Sequence, residues 1–403
     1  MNKNILYISY DGLTDPLGQS QILPYIIGLS KAGYSFTIIS AEKIEAYEEG
    51  KSIIKEICQS NAIDWRPILY TKSPPILSTV KDIKKIQRLA DKLHREKQFV
   101  AVHCRSYISS IVGLKMQKKY SIKFIFDMRG FWADERVDGE IWNLSKPHFK
   151  MVYRYFKKKE KQFCENADAI VSLTHVGKKI MQTDWAVTKP IYVIPCAVDT
   201  ELFRPEINDK AKINNRNSEL ILGYLGSIGT WYMLDEMLDF FKILLRRYPK
   251  AKFKFITTEQ PASILNKAIA RNIDIEHFEI APAQRKDVPL ALSKIDVGIF
   301  FIKPSFSKQA SSPVKQGELM SMGIPIITNK GVGDTEEIVN RYESGLLINR
   351  FDDNEYTRVV DALDQLLSQN NTSILQGANN YFSLNIGVDT YRELYSDLDL
   401  DLE

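Results

Sequence analysis

Short apolar runs alternate with longer stretches of helical periodicity along most of this chain. In the first half, Ile5-Leu-Tyr-Ile-Ser9 reads as a buried strand, and residues 19–32 read as a helix. Gly33 caps that helix and leads into a second strand ending at Ser40. A charged amphipathic helix over 81–97 precedes a strand at 100–103. A helix over 109–118 then precedes the strand Lys123-Phe-Ile-Phe-Asp127, and strands at 169–173 and 191–194 complete the set. Strands separated by helices of this length build parallel βαβ units, so the prediction is α/β, a doubly wound sheet.

A second series of the same kind starts at 220–225. A helix over 233–247 follows, with Leu234, Met237, Leu238, Phe241 and Leu245 on one face, and then strands at 252–257, 297–302, 325–328 and 345–348. Between the two series, residues 209–218 are polar, rich in Asn and Lys, and lack apolar periodicity, as a linker would. The expected domains are 1–208 and 209–378, the first completed by a C-terminal helix within 379–403. With 403 residues, 44% of them hydrophobic, the chain can supply two cores. Ligand sites at the carboxyl ends of such sheets are expected to line an interdomain cleft.

A formal charge of +4 is mild. It fits acidic substrates or an anionic membrane surface and does not call for nucleic acid. The four cysteines (Cys58, Cys104, Cys164, Cys196) are scattered without a Cys-x-x-Cys pair. That spacing argues for reduced thiols and against a disulfide or zinc framework. The N-terminal apolar run is too short for a signal peptide, and no apolar stretch approaches the ~20 residues that span a bilayer. The expectation is a cytoplasmic protein, soluble or peripheral on the cytoplasmic membrane face.

The stretch 311–328 carries the most chemistry. It reads as a polar loop, a short helix, a Gly323-Ile-Pro325 break and a buried β-branched strand. Ser311 and Ser312 are expected to cap the helix, whose free N–H groups and positive dipole end suit a diphosphate. Glu318, further along the helix, is placed to accept from vicinal ribose hydroxyls. In the first half, Pro16 and Gly18 shape a loop ahead of a helix, with Gln19 following. Either this exposes N–H groups to a ligand or it is an ordinary βα loop. Asp127 and Arg129 flank the end of a strand, where an acid and a guanidinium either project into a cleft or pair to hold the loop. His103 also ends a strand and reads as a packed or hydrogen-bonded histidine.

Together these segments resemble the retaining glycosyltransferases of GT-B fold, glycosyltransferase family 4 in particular. The resemblance covers nearly the whole chain and is most specific at 194–205, 220–232 and 311–337. Ile194-Pro-Cys-Ala-Val-Asp-Thr-Glu-Leu-Phe-Arg-Pro205 is similar to the family's interdomain segment, with Cys196 and Ala197 replacing Asn-Gly. What the resemblance implies is two Rossmann-like domains facing across a cleft, acceptor side first and nucleotide-sugar side second. It implies sugar transfer from a nucleoside-diphosphate donor to a hydroxyl of a glycan or lipid-linked acceptor, as in bacterial surface polysaccharide or glycoconjugate synthesis. No cofactor and no metal are expected, and the Asp-x-Asp pattern at 397–401 is not assigned one. The expected donor-binding residues are Gly18, Gln19, Gly226, Ser227, Ser311, Ser312 and Glu318; the expected catalytic residues are Asp127, Arg129 and Lys315, the last from its place on the helix that carries Glu318.

Three departures stand out. Gln19 occupies the place of a second glycine. Ser227 and Tyr232 stand where relatives carry an Arg and a Lys that neutralise the leaving diphosphate. The family's paired glutamates keep the second, Glu318, while the first falls on Ala310. Lys315, Arg129 and backbone N–H groups near Ser311 are the candidate substitutes for the missing cations. Trp231 either stacks on a base or sugar or is a packed aromatic, and Asp334 or Thr335 is expected to cap the next helix. These departures keep open a sugar-nucleotide epimerase and a nucleotide-sugar-binding protein that has lost catalysis. The basic, aromatic helix from Lys146 to Lys161 either faces anionic lipid or lays a solvated face over a core stripe of Phe149, Val152, Tyr153 and Phe156.

Overall fold

A computed structural model describes residues 4–74, 76–205 and 220–400. The chain divides into two compact units, Met1–Pro195 with Leu384–Glu403, and Cys196–Ser383. The linker expected at 209–218 lies outside the described residues. The crossing comes earlier than the 208/209 boundary read from sequence, because residues 196–205 belong to the second unit. Val198 and Phe203 are buried in that unit's core, and the Val198 N–H donates to the Phe382 carbonyl at 2.7 Å.

The first unit is a seven-stranded parallel sheet ordered β3-β2-β1-β4-β5-β6-β7. The strands are β1 (Asn4–Ser9), β2 (Ser35–Glu42), β3 (Asp64–Leu69), β4 (Ala101–Arg105), β5 (Lys123–Asp127), β6 (Ala169–Ser172) and β7 (Ile191–Val193). Order reverses between β1 and β4, whose register pairs Tyr7 with His103 and Ser9 with Arg105. Such a switch point opens a crevice at the strands' carboxyl ends. Helix Leu384–Asp397 returns to this unit, burying Tyr391 and Tyr395. β3 is absent from the sequence-based reading: Asp-Trp-Arg-Pro-Ile-Leu is half-buried and interrupted by Pro67, a residue that an edge strand tolerates.

The second unit is a six-stranded parallel sheet ordered β10-β9-β8-β11-β12-β13. Its strands are β8 (Ile221–Leu225), β9 (Lys252–Ile256), β10 (Phe278–Ala281), β11 (Val297–Phe300), β12 (Ile326–Asn329) and β13 (Gly345–Ile348). Here the switch point lies between β8 and β11. β10, a four-residue edge strand, also escapes the periodicity analysis. Phe240, Phe241, Phe253 and Phe255 fill the space between this sheet and helix Leu234–Arg247. The apolar face read from the sequence is buried at Leu234, Met237, Leu238 and Phe241.

Candidate active site

In the second unit, chemistry gathers at the β8/β11 switch point. Beyond β8, Gly226 turns the chain at φ +100, which favours glycine, and its N–H donates to the Ile256 carbonyl at 2.9 Å. A Cβ on Gly226 would sit 3.7 Å from Lys315 Nζ, so the ammonium lies beside this turn. Lys315 opens helix Val314–Ser321 and is 6% exposed. Its Nζ donates to Tyr224 Oη at 2.8 Å and lies 4.0 and 3.3 Å from the ring centroids of Tyr224 and Tyr232. Tyr224 in turn donates to the Ser227 carbonyl at 2.6 Å, which fixes the loop while Ser227 itself stays exposed.

Aromatic ring faces offset part of the cost of burying an ammonium. Among the described residues, no carboxylate lies within ion-pair distance of Lys315. Burial accordingly holds its pKa well below the ordinary lysine value, with Glu318 pulling weakly the other way. Glu318, three residues on, is buried and accepts from Arg285 Nη1 at 3.3 Å. Burial pushes its pKa up, against the opposing charges of Arg285 and then Lys315.

Neither serine caps this helix. Pro313 occupies the N-cap, and Ser312 Oγ accepts from the Cys196 N–H at 3.2 Å instead. The helix is pressed onto the chain crossing: a Cβ at Gly317 would fall 2.7 Å from Val198 Cγ2 and 2.9 Å from Phe382 Cγ. The loop after β12 is tied to the same helix by Thr335 Oγ1 donating to Gln316 Oε1 at 2.9 Å. Asp334 is the N-cap residue there but makes no side-chain cap, accepting from Tyr381 instead. Trp231 lies beneath Lys308 Nζ, 3.7 Å from its centroid.

The first unit gathers a different set. Gly18 is the third residue of helix Pro16–Gln21, which begins earlier than expected because Pro16 suits a first helical position. A Cβ on Gly18 would meet the Gly12 carbonyl oxygen at 2.0 Å, so the glycine serves close packing. Gln19 is exposed and donates to the Thr14 carbonyl at 2.9 Å. Glu42, buried at the end of β2, accepts from the Leu13 and Thr14 N–H groups at 2.8 and 3.1 Å and so shapes the whole loop.

Asp127 does not project into open space. It is fully buried, accepting from Tyr391 Oη at 3.1 Å, with His103 Nε2 at 3.7 Å, Arg129 Nη1 at 3.8 Å and Arg105 Nη1 at 4.0 Å. Burial alone would raise its pKa; Arg129, His103 and Arg105 together outweigh that and lower it. His103 is depressed chiefly by burial, and its Nδ1 lies 2.7 Å from Tyr395 Oη. Arg129, at φ +55, directs its largely buried side chain to this carboxylate.

Sequence reasoning thus named Lys315 and Glu318, which one helix holds three residues apart, and Asp127 with Arg129. It passed over Arg285, Tyr224, Glu42 and Tyr391. Glu42 left a trace, an acid ending an apolar run; Arg285, in a loop after a four-residue edge strand, left none.

Two Rossmann-like parallel-sheet units, each with polar loops at a switch point, define the GT-B class. Residues 25–202 match the family described as Glycosyltransferase Family 4, and residues 205–380 match Glycosyl transferases group 1. The chain belongs to the family-4-like glycosyltransferases of GT-B fold. Among solved structures, sucrose-phosphate synthase from Thermosynechococcus elongatus superposes with a TM-score of 0.74 at 15% identity, covering 98% of this chain and 99% of that one. HepE from Anabaena, solved in complex with UDP-glucose, gives 0.65 at 12% identity, covering 98% and 99%. At those identities the likeness is one of fold. A putative teichuronic acid biosynthesis glycosyltransferase of Bacillus subtilis, TuaH, is 25% identical over 215 residues, 50% of this chain and 49% of TuaH. The match thus spans about half the length of that relative. No described helix is long and apolar enough to cross a membrane.

Proposed function

We propose that this glycosyltransferase moves a sugar from a nucleoside diphosphate to a hydroxyl of a glycan or lipid-linked saccharide, with retention and without a metal. The observation that carries this reading is Lys315: a buried ammonium at a sheet switch point, cradled by two tyrosines and, among the described residues, lacking a carboxylate within ion-pair distance. Such a group is costly until an anion arrives. A diphosphate beside Gly226 is the anion that fits, and HepE, of like fold, binds UDP-glucose. The partial sequence similarity to TuaH, a putative teichuronic acid biosynthesis glycosyltransferase, supports surface polysaccharide as the setting.

In this scheme Glu318 accepts from the ribose hydroxyls, Gly226 and Ser227 border the phosphates, and Ser311 and Ser312 line the approach. The bond from the anomeric carbon to the diphosphate oxygen breaks, and Lys315 stabilises the charge that develops there. The acceptor hydroxyl forms the new bond on the same face and passes its proton to the departing diphosphate. The acceptor is assigned to the first unit, where Gly18 and Gln19 shape the β1 loop. Arg129 faces acceptor charge there, and Asp127, too enclosed for contact, positions that arginine.

The test is a thermal-shift screen of nucleoside diphosphates and their sugars, followed by turnover with and without acceptors. A ligand at 100 times its Kd stabilises by roughly 2.7 kcal/mol. Absence of any shift overturns the donor reading. Conversion of donor without acceptor makes the enzyme an epimerase, and binding without turnover across acceptors makes it a binding protein.

A further inference from the structure

Among the described residues Arg285 is the one cation in ion-pair contact with Glu318, and its surroundings are unlike those of an ordinary surface ion pair. It sits in the loop following β10, at the carboxyl end of the sheet, in the short turn Arg285–Asp287. Its guanidinium carbon lies 5.4 Å from the centroid of the Phe203 ring. Phe203 is 1% exposed, whereas the Arg285 side chain is 40% exposed. The guanidinium therefore lies over that phenyl ring at cation–π distance while the side chain keeps part of its surface in solvent. Of its donors, only Nη1 has a hydrogen-bond partner among the described residues, the Glu318 carboxylate. Nε and Nη2 remain available at the edge of the plane.

We propose that the Arg285 guanidinium is the platform on which the donor's nucleobase stacks, with Phe203 as its support. The proposal rests on the reading of Glu318 as the ribose contact. A base is attached directly to that ribose, so the flat cation bonded to Glu318 is a side chain within its reach. Guanidinium planes stack on nucleobases as aromatic rings do, and Arg retains this ability when one face is already on an aromatic ring. The ion pair to Glu318 holds the plane in orientation at one edge and leaves the rest of that edge for base carbonyls. A lysine at this position would keep the charge and lose the plane.

The experiment compares wild type, Arg285→Lys and Arg285→Met by titration calorimetry with UDP, ADP and GDP, and with the corresponding free nucleosides in competition. Stacking on one side chain is worth roughly 5- to 100-fold in affinity. Both variants are expected to lose that factor for the preferred nucleoside diphosphate and, in the same proportion, for its nucleoside. Melting temperatures within a few degrees of wild type confirm that the variants are folded; where Arg285→Met is not, Arg285→Lys decides alone. Wild-type affinity in Arg285→Lys would overturn the proposal, reducing Arg285 to a charge partner of Glu318. A loss confined to the diphosphate, with the nucleoside unchanged, would also overturn it and make Arg285 a phosphate ligand. Failure of wild type to bind any of the three diphosphates would instead overturn the donor reading itself, a result distinguishable from both.

Discussion

Replacing Lys315 by Met should separate catalysis from stability. Among the described residues the ammonium makes one hydrogen bond, to a neutral phenol, and rests on two rings at 3.3 and 4.0 Å. Methionine has nearly the same reach and needs no hydration, so the burial penalty disappears and the fold should be as stable or more so. Turnover should fall by about 10²- to 10³-fold, the 2.7–4 kcal/mol typical of removing one preorganised stabiliser of a developing charge. The donor's KM should change far less, because the interaction strengthens as the leaving group departs. Proton linkage gives a second readout. The folded-state pKa lies well below the ordinary 10.5. Between those two values the unfolded chain holds the extra proton, so wild-type stability rises with pH across that window. Below it, both states are protonated and the penalty is present in full. A bound diphosphate restores the proton, so UDP binding at alkaline pH should take up protons, measured as a dependence of calorimetric enthalpy on buffer. Lys315→Met should abolish both effects. Turnover within threefold of wild type would refute the reasoning and shift the role to Arg129 or to backbone amides.

Glu318→Ala should weaken UDP binding roughly 10- to 100-fold, as expected for hydrogen bonds to a charged group, and weaken uridine equally, since the contact is to ribose. Unchanged affinity in a folded variant would exclude that role. Asp127→Asn leaves Arg105 and Arg129 around a neutral amide and should cost about 3–5 kcal/mol in urea unfolding. Because the Asp127 pKa is lowered on folding, its contribution is present above the ordinary carboxylate range and is lost as pH falls through the folded value; the variant should flatten the acid limb, and an unchanged limb would count against the cluster. Met151 and Tyr155 are exposed on helix Pro147–Asn166 beside Lys150, Arg154 and Lys158. If that face meets lipid, vesicle binding should require anionic lipid and fall with salt, whereas indifference to both leaves it a solvated face.

Most of the strands that sequence periodicity revealed are interior and buried, while the edge strands β7 and β13 were legible as short Ile- or Leu-rich runs. Ile5–Ser9, Lys123–Asp127 and Ile326–Asn329 announce themselves because both faces of an interior parallel strand demand apolar side chains. Edge strands such as β3 and β10 are covered on fewer sides and carry Arg66, Pro67 or Glu279 without penalty, so their pattern dissolves into that of loops. The candidate site divides along a similar line. Lys315 and Glu318 share one short helix, and local spacing brings them together. Tyr224, Tyr232 and Lys315 meet only through the parallel pairing that sets β8 beside β11, an arrangement without any trace in linear spacing. Helix caps misled for another reason: Ser312 had a rival partner in the Cys196 amide, over a hundred residues earlier in sequence. The full burial of Asp127 was equally hidden, because the tyrosine that encloses it arrives from the far end of the chain.

That late arrival has a consequence for the order in which the protein is made. A ribosome extends a chain at about 5–20 residues per second. Residues up to Pro195 therefore emerge roughly ten to forty seconds before Tyr391 and Tyr395, which bond to Asp127 and His103. The second unit, contiguous from Cys196 to Ser383, completes its strands within that interval, the last at Ile348, while the first waits for its last helix. Asp127 and His103 spend that time without their phenolic partners. In the growing chain the younger unit is thus the first that can finish, and the older one is sealed last by a pair of tyrosines.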